Sequence, residues 1–221
     1  MATVPIKNLT KAEIVWLHTH RCKHGHRYLS HYNCYLKETR CKEVIGFLDI
    51  ETSNLDANFG IVLSWCIKVG NKMYGDYITK QDLMNDKIVD KRILQSCIAQ
   101  IGQCHKIVTH YGSRFDIPYL RTRALHHKIY FPLYGEIRQE DTWIMARNSL
   151  RLNSNRQNVV AEALLGHSIK TRINPKYWRE ALMGDKRAIA YIYDHNQKDA
   201  IELEKNFNKL QPYVRKGNRS I

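Results

Sequence analysis

Apolar and polar positions alternate with two different periods along this chain, and the change between periods lays out its elements. Val44 to Leu48 is a nearly continuous apolar run, the pattern of a strand covered on both faces. Residues 59–69 and 72–79 read as two further strands, with Gly70-Asn71 as the hairpin turn between them. Over residues 86–102 the apolar positions Val89, Ile93, Cys97 and Ile101 fall on one helical stripe that stops at Gly102. A short strand is predicted at 106–109 and a helix from Asp116 to about His127, with Pro118 tolerated in its first turn. Helices are also predicted over 143–150 and 158–165. Asn174-Pro175 then supplies an N-cap followed by proline at the first helical position, and Gly184-Asp185 closes that helix and caps the last one, which runs to about Leu210. Upstream, Thr10 and Glu13 form a capping-box pattern ahead of a short helix ending near residue 19. Three leading strands followed by mixed helices and strands predict an α/β domain with a mixed sheet flanked by helices.

Near residue 42 the composition changes. Residues 1–42 form an N-terminal segment rich in His, Cys and Tyr, and residues 43–215 carry the α/β pattern. A chain of 221 residues can bury one sizeable core and a small appendage.

Charge changes the picture more than composition does. Lys and Arg number 35 against 21 Asp and Glu, a formal net charge of +14, which points to a polyanionic partner and most simply to nucleic acid. No apolar stretch approaches the ~20 residues that span a bilayer, and the N-terminus lacks the basic start and apolar core of a secretion signal. The six cysteines then read as thiols or metal ligands of an intracellular protein rather than as a disulfide framework.

Against this basic background four acids stand out: Asp49 and Glu51 after the apolar strand, Asp116 after Phe115, and Asp199 near the end. Asp49 and Glu51 are two apart on a strand and point to the same side, at the C-terminal end where open α/β sheets place ligands. His195 and Asp199 are four apart on the last helix, on the same face as Ile192, so the pair is turned toward the protein. Four carboxylates brought together repel unless cations compensate them, and hard oxygen donors suit Mg²⁺ or Mn²⁺.

These residues carry a resemblance. Asp49-Ile50-Glu51-Thr52, Phe115-Asp116-Ile117-Pro118-Tyr119-Leu120 and His195-Asn196-Gln197-Lys198-Asp199 resemble the three motifs of the DEDD 3′–5′ exonucleases, in particular compact phage-type members, over roughly residues 43–212. The resemblance implies a ribonuclease-H-like fold and hydrolysis of DNA or RNA from the 3′ end with two metal ions ~3.5–4 Å apart. It implies that Asp49, Glu51 and Asp199 hold one ion, that Asp49 bridges to the second, and that Asp116 supports that one directly or through water. His195 then acts as the base that orients or deprotonates the water, and Leu55 wedges against the terminal base. In that family the third motif places Tyr four residues, or His five, before its Asp; here His195 stands four before Asp199, with Asp194 at five. Tyr111-Gly112 occupies the region where the family often has Asn, and Tyr111 and Arg114 are expected to touch substrate there. Two other readings are a ribonuclease-H-like endonuclease and a non-catalytic nucleic-acid-binding module. A binder would gain affinity by losing the four acids, which argues against the latter.

Two further groups invite a role. Cys22, His26, His31 and Cys34 are spaced i, i+4 and i, i+3 and can converge on a structural Zn²⁺, with His24 and Cys41 as rivals; the alternative is a basic arm that meets phosphate or solvent. Arg114, Arg121 and Arg123 around the second motif, and Arg147, Arg151, Arg156, Lys170, Arg172, Lys176 and Arg179 before the last helix, can track a phosphate backbone.

Overall fold

In the computed structural model, residues 11–39, 43–134, 136–171 and 174–214 are described. Thr10, Cys41 and Arg172, together with the segment limits at 42 and 215, lie outside them.

The elements in chain order are α1 (Lys11–Thr19), α2 (Tyr32–Glu38), β1 (Ile45–Thr52), β2 (Val62–Val69), β3 (Lys72–Tyr77), α3 (Lys80–Leu83), α4 (Lys91–Ile101), β4 (Lys106–Thr109), α5 (Asp116–His126), β5 (Arg138–Asp141), α6 (Thr142–Ser149), α7 (Gln157–Leu165), α8 (Pro175–Leu182) and α9 (Lys186–Leu210). A five-stranded mixed sheet runs in the order β3-β2-β1-β4-β5. β1 pairs antiparallel with β2, and β2 with β3; β4 lies parallel to β1 and to β5. This is the helix-flanked mixed sheet that the sequence patterns predict, with the Gly70 turn at φ +54° between β2 and β3.

β1 alternates between two cores. Leu48 and Ile50 pack with Ile93, Leu94 and Cys97 of α4 and with Ile117 and Leu120 of α5. Phe47, from the opposite parity, packs with Met145 and Ala146 of α6, Val160 of α7, and Leu203 and Phe207 of α9. Asp49 and Glu51 share the parity of Phe47, so they emerge on the α9 side of the sheet.

Three elements escape the sequence pattern. α2 and α3 are short, and α3 is started by a capping box between Thr79 and Asp82. β5 carries Arg138-Gln139-Glu140-Asp141, a run without apolar residues that becomes a strand because β4 offers it a parallel edge. α4 begins later than the stripe suggests, at Lys91 rather than 86, because the preceding Asp90 is drawn inward: its carboxylate accepts from Arg123 Nε at 2.8 Å and Nη2 at 2.7 Å, from Val62 N at 3.0 Å, and lies 2.6 Å from His127 Nε2. This buried cluster pins α4, α5 and β2 together, and it removes Arg123 from the phosphate-tracking group.

Candidate active site

The C-terminal end of β1 carries Asp49 and Glu51 to the point where α5 starts and α9 crosses the sheet. Asp116 is the first residue of α5; its buried carboxylate accepts from the Ile50 N–H at 3.2 Å, which fixes the helix start against the strand. On α9 the positions Ile192, Asn196, Asp199 and Leu203 form one buried stripe, and His195 is buried beside it. Asn196 Nδ2 donates to Asp49 Oδ2 at 2.6 Å, and Asn196 Oδ1 accepts from Ser64 on β2 at 3.0 Å. That amide therefore fixes Asp49 to both the helix and the neighbouring strand.

His195 Nε2 lies 3.8 Å from Glu51 Oε1 and 3.7 Å from Asp199 Oδ2. Its other ring nitrogen, Nδ1, is 2.7 Å from the Thr171 hydroxyl. Lys170, next to Thr171, pairs with Asp199 Oδ2. The loop that brings these two residues in is strapped to α9, one turn past Asp199, by the Ser168 hydroxyl and the Ile169 N–H, each donating to Glu202 at 2.7 Å. The main-chain carbonyl of Asp199 also accepts from Gln157 of α7 at 2.8 Å.

Burial and mutual repulsion dominate the electrostatics. Burial, followed by the charges of Asp199, Asp116 and Glu51, holds the Asp49 carboxyl well above the usual carboxylate range. Glu51 is pushed up to about 8 by burial and by Asp199. Asp116 rises to about 7, mainly through burial, although its own N–H and that of Ile50 pull the other way. For Lys170 burial opposes the charge, but Asp199, Asp49 and Glu51 outweigh it and raise the ammonium's pKa. Burial lowers that of His195, favouring the neutral imidazole. Among the described residues the Lys170 ammonium thus faces four acids, and two buried polar atoms of the cluster, His195 Nε2 and Asp199 Oδ1, have no hydrogen-bond partner there. Oxygen-rich donors whose charged forms are disfavoured by burial and mutual repulsion, with unsatisfied atoms among them, fit a divalent cation that would offset both. The ligand atoms of Glu51, His195 and Asp199 lie within 4.8 Å of one another.

The other expected substrate contacts, Leu55, Tyr111 and Arg114, stand in the loops that follow β1 and β4. Leu55 stands in the loop after β1, 79 % exposed. Tyr111 follows β4 with a left-handed backbone, φ 64°, and its ring meets Trp143 edge-on at 5.2 Å. That strained turn is held by Asp141 at the end of β5, which accepts from Tyr111 N at 2.8 Å, Ser113 N at 3.0 Å and Ser113 Oγ at 2.6 Å. Arg114 is exposed and donates through its backbone to Tyr111 O.

Sequence reasoning missed Asn196, Thr171, Asp141 and the inward role of Lys170. Asn196 was within reach, since it lies four residues after Ile192 and three before Asp199 on the same stripe. The others depend on where a loop or an edge strand is laid, and no periodicity encodes that.

In the N-terminal segment the ligand atoms of Cys22, His24, His26 and Cys34 lie within 4.8 Å of one another. His24, not His31, joins the cluster; His31 stacks on His26 with ring centroids 4.0 Å apart.

Comparison with known proteins agrees with this architecture. No curated protein matches the sequence. Among solved structures, the family B DNA polymerase from the hyperthermophilic archaeon Pyrobaculum calidifontis superposes with a TM-score of 0.62 at 15 % identity, over 77 % of this chain and 25 % of that chain. The likeness is one of fold, and this chain spans about a quarter of the polymerase's length. A family model described as the RNase H superfamily matches residues 46–211, from β1 to just past α9 and so across every acid of the cluster. The chain belongs to the RNase H superfamily.

Proposed function

We propose that the chain is a metal-dependent 3′–5′ exonuclease that hydrolyses phosphodiester bonds of DNA or RNA. The observation that carries this reading is the meeting of Asp49, Glu51, Asp116 and Asp199 with a buried His195 at the end of β1. The order of the three motifs supports the exonuclease over other members of the superfamily, and a net charge of +14 supports a nucleic-acid substrate. The similar fold of a DNA polymerase is consistent with that substrate.

In this reading Asp49, Glu51 and Asp199 would hold one Mg²⁺ or Mn²⁺, and Asp49 would hold a second with the support of Asp116, directly or through water. The bound cations supply positive charge to the phosphate and lower the pKa of water. The chain's own residues do the rest. Asn196 keeps Asp49 turned into the site, and the Asp116–Ile50 hydrogen bond keeps α5 in register with β1. Neutral His195, with Nδ1 beside the Thr171 hydroxyl, presents Nε2 to take the proton of the attacking water. Lys170 offsets part of the acidic charge. This reading assigns Leu55, Tyr111 and Arg114 to contacts with the 3′-terminal nucleotides.

The test uses 5′-labelled single- and double-stranded DNA and RNA with free or blocked 3′ ends, with Mg²⁺, Mn²⁺ or chelator. The expected outcome is stepwise shortening from free 3′ ends that stops in chelator and falls at least about 10²-fold in Asp49→Asn and Asp199→Asn. Internal cleavage of the blocked substrate at an equal rate would favour the superfamily's endonuclease chemistry instead. Metal-independent binding without any cleavage would leave a nucleic-acid-binding module.

A further inference from the structure

Residues 11–39 contain very little core. Among them only Leu17, Tyr32 and Leu36 form a buried apolar cluster, with Tyr28, Leu29 and Tyr35 packed against it. A segment this small does not hold a fixed fold by apolar burial alone; it needs a covalent or metal staple.

The segment's backbone is arranged around its Cys and His residues. Cys22 N donates to His26 O at 2.8 Å, Gly25 N donates to Cys22 O at 2.8 Å, and Arg21 bridges to Arg27, which closes a tight hairpin. Gly25 takes φ +80° at its tip, a conformation that L side chains rarely adopt. The turn brings Cys22, His24 and His26 together, and the first turn of α2 brings up Cys34. His24 Nδ1 lies 3.8 Å from Cys22 Sγ and 3.9 Å from Cys34 Sγ. Zinc bonds of about 2.0–2.3 Å in a tetrahedron place ligand atoms about 3.3–3.8 Å apart, so the separations are close to those of a coordination shell. The main-chain N–H groups of His24 and His26 point at the Cys22 sulfur, the kind of outer hydrogen bond that steadies a thiolate ligand. His31 stacks on His26 but does not join the four ligand atoms. Glu38 ties the hairpin to α2 by accepting from Tyr28 Oη at 2.6 Å and Lys23 N at 3.1 Å.

We propose that Cys22, His24, His26 and Cys34 bind one Zn²⁺ as a closed, four-ligand structural site that folds residues 11–39. Two soft sulfurs and two imidazoles suit zinc rather than the hard cations of the carboxylate cluster. With all four positions taken by side chains, the site has no opening for a substrate. The module contacts the sheet at the end away from the four acids: Tyr32 stacks on His105 just before β4 with centroids 5.9 Å apart, and Asn33 pairs with Arg138, the first residue of β5. Its metal is therefore separate in both place and chemistry from the one in the proposed nuclease site.

The test is metal analysis of the full chain purified under reducing conditions, with amide hydrogen exchange followed by segment. The expected outcome is one zinc per chain that survives dialysis against excess Mg²⁺, and Co²⁺ replacement giving the intense visible bands of a tetrahedral thiolate site. His24→Ala and Cys34→Ser lose the zinc, whereas His31→Ala and Cys41→Ser keep it. Zinc removal raises exchange across 11–39 and leaves β1, β2 and β4 protected, which separates loss of the site from global unfolding. The proposal is overturned if the reduced chain, with Cys22 and Cys34 free, takes up neither zinc nor cobalt. It is equally overturned if His24→Ala retains zinc, or if exchange over 11–39 is the same with and without metal.

Discussion

Asp90 shows how a single residue can decide the stability of the whole domain. Burial works against its charge, but the bidentate Arg123 guanidinium, the Val62 N–H and His127 outweigh it and hold its carboxyl below the usual value. A carboxyl depressed in the folded state stabilises the protein above its unfolded pKa of about 3.9, and that contribution is lost as pH falls through the folded value. Asp90→Asn leaves Arg123 buried without its counter-charge, and the expected loss is about 3–5 kcal/mol at neutral pH. Denaturant melts at pH 7 and in acid should show the gap between wild type and variant closing as the medium is acidified below the wild-type pKa. A constant gap would mean that shape, not charge, is what the site requires. At this scale sequence reading was uneven. Asp49, Glu51, Asp116, His195 and Asp199 converge because strand parity and helical spacing determine where such residues point. Asp90 and Arg123 gave no such signal, since an acid before a helix and a base within one look the same whether they face water or each other.

Elements position the site by their closeness. β1 lies between β2 and β4, and Gly46 on it has no room for a side chain: a Cβ there would stand 2.7 Å from Cys104 Sγ, 2.9 Å from Ile67 Cγ2 and 3.0 Å from Ile107 Cδ1. Gly46→Ala is expected to destabilise the domain by about 1–3 kcal/mol through overpacking. Because Gly46 is on the strand that carries Asp49, thermal denaturation should show a lower Tm together with weaker metal binding; an unchanged Tm would mean that the neighbouring side chains yield freely. α9 was legible nearly to its ends, from the Asp185 N-cap to Leu210, since a long amphipathic stripe and a capping residue are both local signals. β5 was not legible. Its polar residues become a strand only because β4 presents an edge, and Asp141 then shapes the Tyr111 turn from a distance in sequence that no local rule spans.

On the scale of the whole molecule the dominant fact is charge. The chain carries a formal excess of fourteen positive charges while its acidic cluster is buried, a balance that suits a polyanionic partner. Binding of single-stranded DNA in the absence of divalent metal should weaken by about 2.6-fold per neutralised phosphate as salt rises from about 50 to about 200 mM. Affinity that does not change over this range would disconnect the basic surface from substrate capture. The four acids come from β1, α5 and α9, and α9 is the last α-helix among the described residues. A growing chain therefore carries Asp49, Glu51 and Asp116 long before His195, Asn196 and Asp199 exist. Until α9 is made and lies across the sheet, the proposed nuclease lacks His195, Asn196 and Asp199 together, so its site is completed in one step by a single helix.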